Sequence, residues 1–156
     1  MRLAVLYLHV LGVVVWIGGL AYQTHVLLPA ARGAAAPFAA AARRARPVTW
    51  TAIAVVVLSG FYNVTQLGRL DRVMESGAGL ALVAKFILVI LAVALSSQRD
   101  FAQVTILNAA LGSGADPAAA LRSITRLDRV VLLLGLIVIY LGLFVSRTAL
   151  AISPAA

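Results

Sequence analysis

Four apolar runs, each about 20 residues or longer, constrain this chain more than any other feature: Leu3 to about Pro29, Val48 to about Leu67, about Gly79 to Ser97, and Val130 to about Ile152. A run of that length crosses a hydrocarbon core roughly 30 Å thick as a helix, because each helical residue rises ~1.5 Å. Inside lipid the backbone must satisfy its own hydrogen bonds, which a helix does locally. The expected fold is all-α: a polytopic membrane protein, a four transmembrane helix bundle with short interfacial helices, forming a single membrane domain over residues 1–156. With 63% hydrophobic residues, 12% charged residues and a mean hydropathy of +1.03, no separate water-soluble domain is expected. Arg2 before an apolar stretch mimics a secretory signal, but the run is too long for one and contains His9 and Trp16, so a retained first helix is expected.

The net charge of +8 does not form a basic face for nucleic acid, because the arginines lie between the apolar runs. Arg32, Arg43, Arg44 and Arg46 fall between spans one and two, and Arg99, Arg122, Arg126 and Arg129 around the link from three to four. Only Arg69 and Arg72 occupy the middle loop, beside Asp71 and Glu75. The positive-inside rule then puts the first and third connections in the cytoplasm and both termini outside a bacterial-type inner membrane. Residues 33–46 suit an interfacial helix, with Pro47 opening the second span. Asp100 to Leu111 suits an extension of the third span, broken at Gly112–Gly114, and Asp116 followed by Pro117 is a helix-start signal. Cysteine is absent, which excludes disulfides, thiolate metal sites and thiol redox chemistry.

Lipid is as apolar as leucine, so small and polar residues mark the faces that pack in a membrane. His9, Gly12, Trp16, Gly19 and Gln23 make one stripe on the first span; Ala52, Ser59, Asn63 and Gln66 make one on the second. The third offers Ala81, Lys85, Ala92 and Ser96, and the fourth Gly135, Gly142 and Ser146. His9 and Lys85 lie about six residues below the outer ends of their helices and Asn63 about four, so all three sit roughly 6–10 Å below the outer boundary. They are expected to form one polar centre in the outer half.

Each of these residues has a plain structural alternative. Lys85 either belongs to a site or snorkels to the headgroups. His9 is either a ligand or a hydrogen-bonded tie between helices. Gly12, one turn below it, removes volume and would let a flat macrocycle approach, with Trp16 as a wall, as in haem sites of helical bundles. His25 is too far along the helix to share an ion with His9 and reads as interfacial, with a separate site there left open. Arg147 near the outer end either snorkels or neutralises an anion such as a haem propionate.

The string HVLGVVVWIGG, with His9, Trp16, Gly18 and Gly19, resembles the opening helix of the copper-resistance D (CopD) domain family. SGFYN from Ser59 to Asn63, and LALVAKFILVI with Lys85, are similar to later stretches of that family, so the resemblance covers roughly residues 1–98, with an extension through the fourth span left open. The histidine in the first helix and the lysine in the third also resemble the HemJ-type protoporphyrinogen oxidase family, four-span proteins associated with haem b. The first resemblance implies copper handling in the inner membrane. The second implies haem b, with His9 as axial ligand, Gly12 and Gly19 making room and Lys85 near a propionate or the iron; whether the chain is an enzyme stays open. Copper transfer favours sulfur ligands, of which only Met1 and Met74 are present, so a single His9 site assisted by Asn63 is all the copper reading allows. Three readings follow: copper handling, haem binding, and an accessory bundle without ligand. The lipid bilayer is the expected partner in each, nucleic acid in none, and assembly into a homo-oligomer is left open.

Overall fold

The structure is a computed structural model and describes residues 1–31, 33–66 and 77–152. Arg32 and the middle-loop residues Arg69, Asp71, Arg72, Met74 and Glu75 lie outside the described residues. Helix α1 runs Arg2–Ala30 and α2 runs Ala35–Thr65. Helix α3 comprises Gly77–Ser97, a π-helical turn Gln98–Gln103, and Val104–Ser113; α4 runs Ala118–Ile152. All four are long and apolar enough to cross a membrane, and no strand occurs among the described residues. The chain is an all-α polytopic bundle. Leu6, Leu58, Ile90 and Leu136 point outward, which in lipid is solvation rather than exposure.

The helices run further than the apolar runs that announce them. The expected interfacial helix at 33–46 is continuous with the second span, and Pro47 sits inside α2 instead of opening it. A proline interrupts one backbone hydrogen bond of a helix, but packing decides the outcome here. Ala35, Phe38, Ala39 and Ala42 are buried against Val104, Leu107 and Ile124 of the other long helices, and this apolar contact holds the segment before Pro47 helical. Helix α3 continues to Ser113 and ends at Gly114, whose φ of +71° is the left-handed cap that glycine adopts without strain. Asp116 accepts the Ala118 N–H at 2.9 Å and starts α4.

Helices α1 and α2 pack antiparallel. Arg2 Nη2 donates to the Gln66 carbonyl at 2.7 Å, His9 meets Ser59, and Gly12 lies against Ala52, Val55 and Val56. Helices α3 and α4 pair in the same manner, with Lys85 beside Gly142 and Arg99 on Asp128. Gly135 of α4 receives the Ile17 side chain of α1. Two apolar clusters result: Trp16, Leu20, Ala52, Val56, Ala92 and Val131 in one, Leu28, Phe38, Leu107 and Ile124 in the other. In chain order on each helix, a buried polar layer separates them.

Candidate functional site

Two polar centres, not one, lie in the bundle. In the first, near the end that carries Arg2 and Gln66, half-buried His9 places Nδ1 2.9 Å from Ser59 Oγ. The Ser59 hydroxyl proton goes back to the Val55 carbonyl, so Ser59 offers oxygen lone pairs to the imidazole and Nδ1 is the nitrogen that carries the proton. The Nε2 lone pair of the neutral ring is thereby free to bind a ligand or a proton. Gly60 supports this placement, because a Cβ there would stand 3.4 Å from His9 Cε1. Half-buried Lys85 lies within electrostatic reach of His9, and its Nζ rests 3.4 Å from the place a Gly142 Cβ would occupy.

The other residues expected at this centre have different surroundings. Gly12 does not open space for a macrocycle: a Cβ there would meet Val56 Cγ2 at 2.9 Å and the Ala52 carbonyl at 3.2 Å, so its missing side chain lets α2 approach α1. Trp16 is not a wall beside His9. It lies two turns further along α1, 5% exposed, inside an apolar cluster. Gly19 faces open space. Asn63 is half-buried, its carbonyl accepts the Gln66 N–H at 3.2 Å, and among the described residues its side chain bonds neither His9 nor Lys85. Arg147 is exposed on the same helix as Gly142. His25, also exposed, donates from Nδ1 to the Ala21 carbonyl of its own turn at 3.0 Å.

The second centre lies about four turns away, and sequence reading counted its charges as loop signals. Arg99 is 5% exposed, inside α3. Its Nε donates to Asp128 Oδ1 at 3.0 Å, Nη1 to Asp100 Oδ1 at 2.6 Å, and Nη2 to Gln23 Oε1. Asp100 also accepts the Trp50 indole N–H at 3.0 Å, and its carbonyl accepts Arg46 Nη2 at 2.5 Å. Arg46 further stacks over Phe101, 5.0 Å from the ring centroid. All four helices thus share one network of two arginines and two aspartates, balanced in charge. Asp128, 1% exposed, lines a cavity of about 10 Å³ with Trp16, Ser96 and Arg99, and its Oδ2 has no hydrogen-bond partner among the described residues. Three π-helical turns, Val14–Gly18, Gln23–Leu27 and Gln98–Gln103, carry Trp16, Gln23, Arg99 and Asp100 to this layer. Such turns each widen the helix by one residue and are frequent at functional sites.

The copper resistance protein D family matches residues 39–145, which takes in α2, α3, most of α4 and the whole Arg99 network except Gln23. The chain belongs to the copper resistance protein D family. The match reaches beyond residue 98 into α4, the extension that the short motifs left open, and it begins after α1, so His9, Gly12 and Trp16 stand outside the matched residues. No curated protein and no solved structure gives a match. Within the matched part, Ser59 and Gly60 of α2 meet the His9 ring, and Lys85 of α3 rests beside Gly142 of α4. No cluster of three or more His, Cys, Asp or Glu side chains suited to a metal ion occurs among the described residues.

Proposed function

We propose that this multi-pass membrane protein handles copper at the His9 centre, and that this centre faces the outside of a bacterial-type inner membrane. Membership of the copper resistance protein D family carries the proposal, since it names the cargo. The hydrogen bond from His9 Nδ1 to Ser59 supports the location, because a histidine oriented by its second nitrogen is the usual form of a metal-binding imidazole. The inventory sets the strength of binding: one imidazole, no cysteine in the sequence and no cluster of acidic ligands among the described residues describe a weak, exchangeable cation site. Such a site suits cargo in passage.

Lys85 gives the centre its second property. An ammonium group within electrostatic reach of His9 repels an incoming copper ion, so occupation by copper and the charged state of Lys85 oppose one another. Haem b draws no comparable support. The Gly12 face of α1 is filled by α2, and Trp16 is committed to the core.

The deciding experiment is copper binding to the purified chain in neutral-lipid nanodiscs, read by competition with a chromogenic copper(I) chelator and by metal analysis. Wild type and His25→Ala are expected to hold one copper per chain and His9→Ala none. Equal copper in wild type and His9→Ala overturns the proposed site. A Soret band from the same samples, lost with His9, would replace copper by haem.

A further inference from the structure

We propose that the groove between the start of α4 and the α1–α2 turn binds the phosphodiester headgroup of an anionic phospholipid. The groove encloses about 660 Å³ and is open on one side. Arg122, Arg126 and Arg129 line it at helical spacing along one face of α4, all three exposed. None of them forms a salt bridge with a described residue; the ion pairs among the described residues belong to Arg99. The single acidic group among the described residues of the lining, Asp116, is engaged as the cap of α4 through the Ala118 N–H. The rest of the lining is mostly apolar, including Leu28, Leu111 and Leu121.

Depth argues for a lipid over a free anion. Immediately after Arg129 the outward side chains of α4 turn apolar at Val130, Leu133 and Leu136, so the arginines stand where the lipid-facing surface ends and headgroup phosphates begin. Three guanidiniums stacked along about two turns match a phosphodiester with bidentate donors, and the apolar surface that follows them at Val130, Leu133 and Leu136 matches the first methylenes of its acyl chains. Free phosphate would use the first contact and leave the second empty. The inference is independent of what occupies the His9 centre.

The test uses the full chain in zwitterionic detergent, titrated with phosphatidylglycerol and followed by native mass spectrometry. Each arginine near an anionic headgroup is worth about fivefold in affinity, so R122A/R126A is expected to weaken binding roughly 25-fold. R43A/R44A removes the same charge from exposed positions outside the groove and is expected to leave binding unchanged. R122K/R126K, which keeps charge and loses the bidentate fork, should fall between them. Equal losses in the two alanine doubles would overturn the site in favour of diffuse attraction. Displacement of the lipid by millimolar inorganic phosphate would overturn the lipid in favour of a simple anion site. Equal retention of phosphatidylcholine would overturn the role of charge.

Discussion

Arg99 and Asp128 stand opposite each other on α3 and α4, their side chains joined at 3.0 Å and both almost wholly buried. Fourteen residues away on each helix, Lys85 stands opposite Gly142, and on α1 the same interval separates Gln23 from His9. Fourteen residues is close to four helical turns, roughly 21 Å, so three helices present the two polar centres on the same faces at opposite ends of one apolar cluster.

The Arg99 network is expected to govern stability. Arg99→Met leaves Asp100 and Asp128 buried with their shared cation gone, and removing one partner of a buried pair costs about 3–5 kcal/mol. The double variant Arg99→Met/Asp128→Leu replaces the pair by apolar groups and should recover most of that loss. Denaturation in mixed micelles measures both, with Arg43→Met, exposed and outside the groove, as reference. A loss for Arg99→Met no larger than for Arg43→Met would show that the network holds nothing together.

In the proposed copper site Ser59 acts by orienting the His9 imidazole and is not itself a ligand. Ser59→Ala removes the acceptor of the Nδ1 proton, and loss of such an orienting partner lowers metal affinity about 10–100-fold while fold and helix content stay unchanged. The proposed tautomer fails if Ser59→Ala binds copper as wild type does.

Lys85→Met removes the cation beside His9. Relief of like-charge repulsion in a half-buried site is worth about 1–2 kcal/mol, so copper affinity should rise roughly tenfold. An unchanged affinity would place Lys85 outside the centre.

Two glycines at helix contacts should respond differently to alanine. At Gly12 the new methyl would meet the stiff Val56 side chain at 2.9 Å and the Ala52 backbone at 3.2 Å, an overpacking that costs about 1–3 kcal/mol. At Gly135 it would meet the Ile17 side chain alone, too close only at the Cδ1 terminus, 2.6 Å away, which a rotamer change moves, so the gain in helix propensity leaves the cost below about 1 kcal/mol. Unfolding of the two variants side by side checks the order, and equal losses would contradict it.

What was legible beforehand follows from kinds of signal. Hydropathy acts over windows of about 20 residues, and it located the four helices. The small and polar stripe on the second span contained Ser59, and that on the fourth contained Gly142, yet neither stripe says which partner it meets. Arg99 and Asp128 lie at the margins of apolar runs, where charge ordinarily means a loop, and nothing local distinguishes a paired arginine from a solvated one. Trp16 and Gln23 do lie on the packing face that their spacing indicates, but spacing along one helix does not name the partners they meet.

By itself, then, the sequence determined the class of this protein, its membrane solvent, its four crossings and a ligand inventory without thiolates, because each depends on composition and on hydrogen bonding within one helix. Only the tertiary structure decided that Gly12 serves packing, that His9 meets Ser59, and that a second polar layer ties all four helices through Arg99. Those outcomes depend on the register between helices, which small residues permit and only the contacts of the whole bundle select.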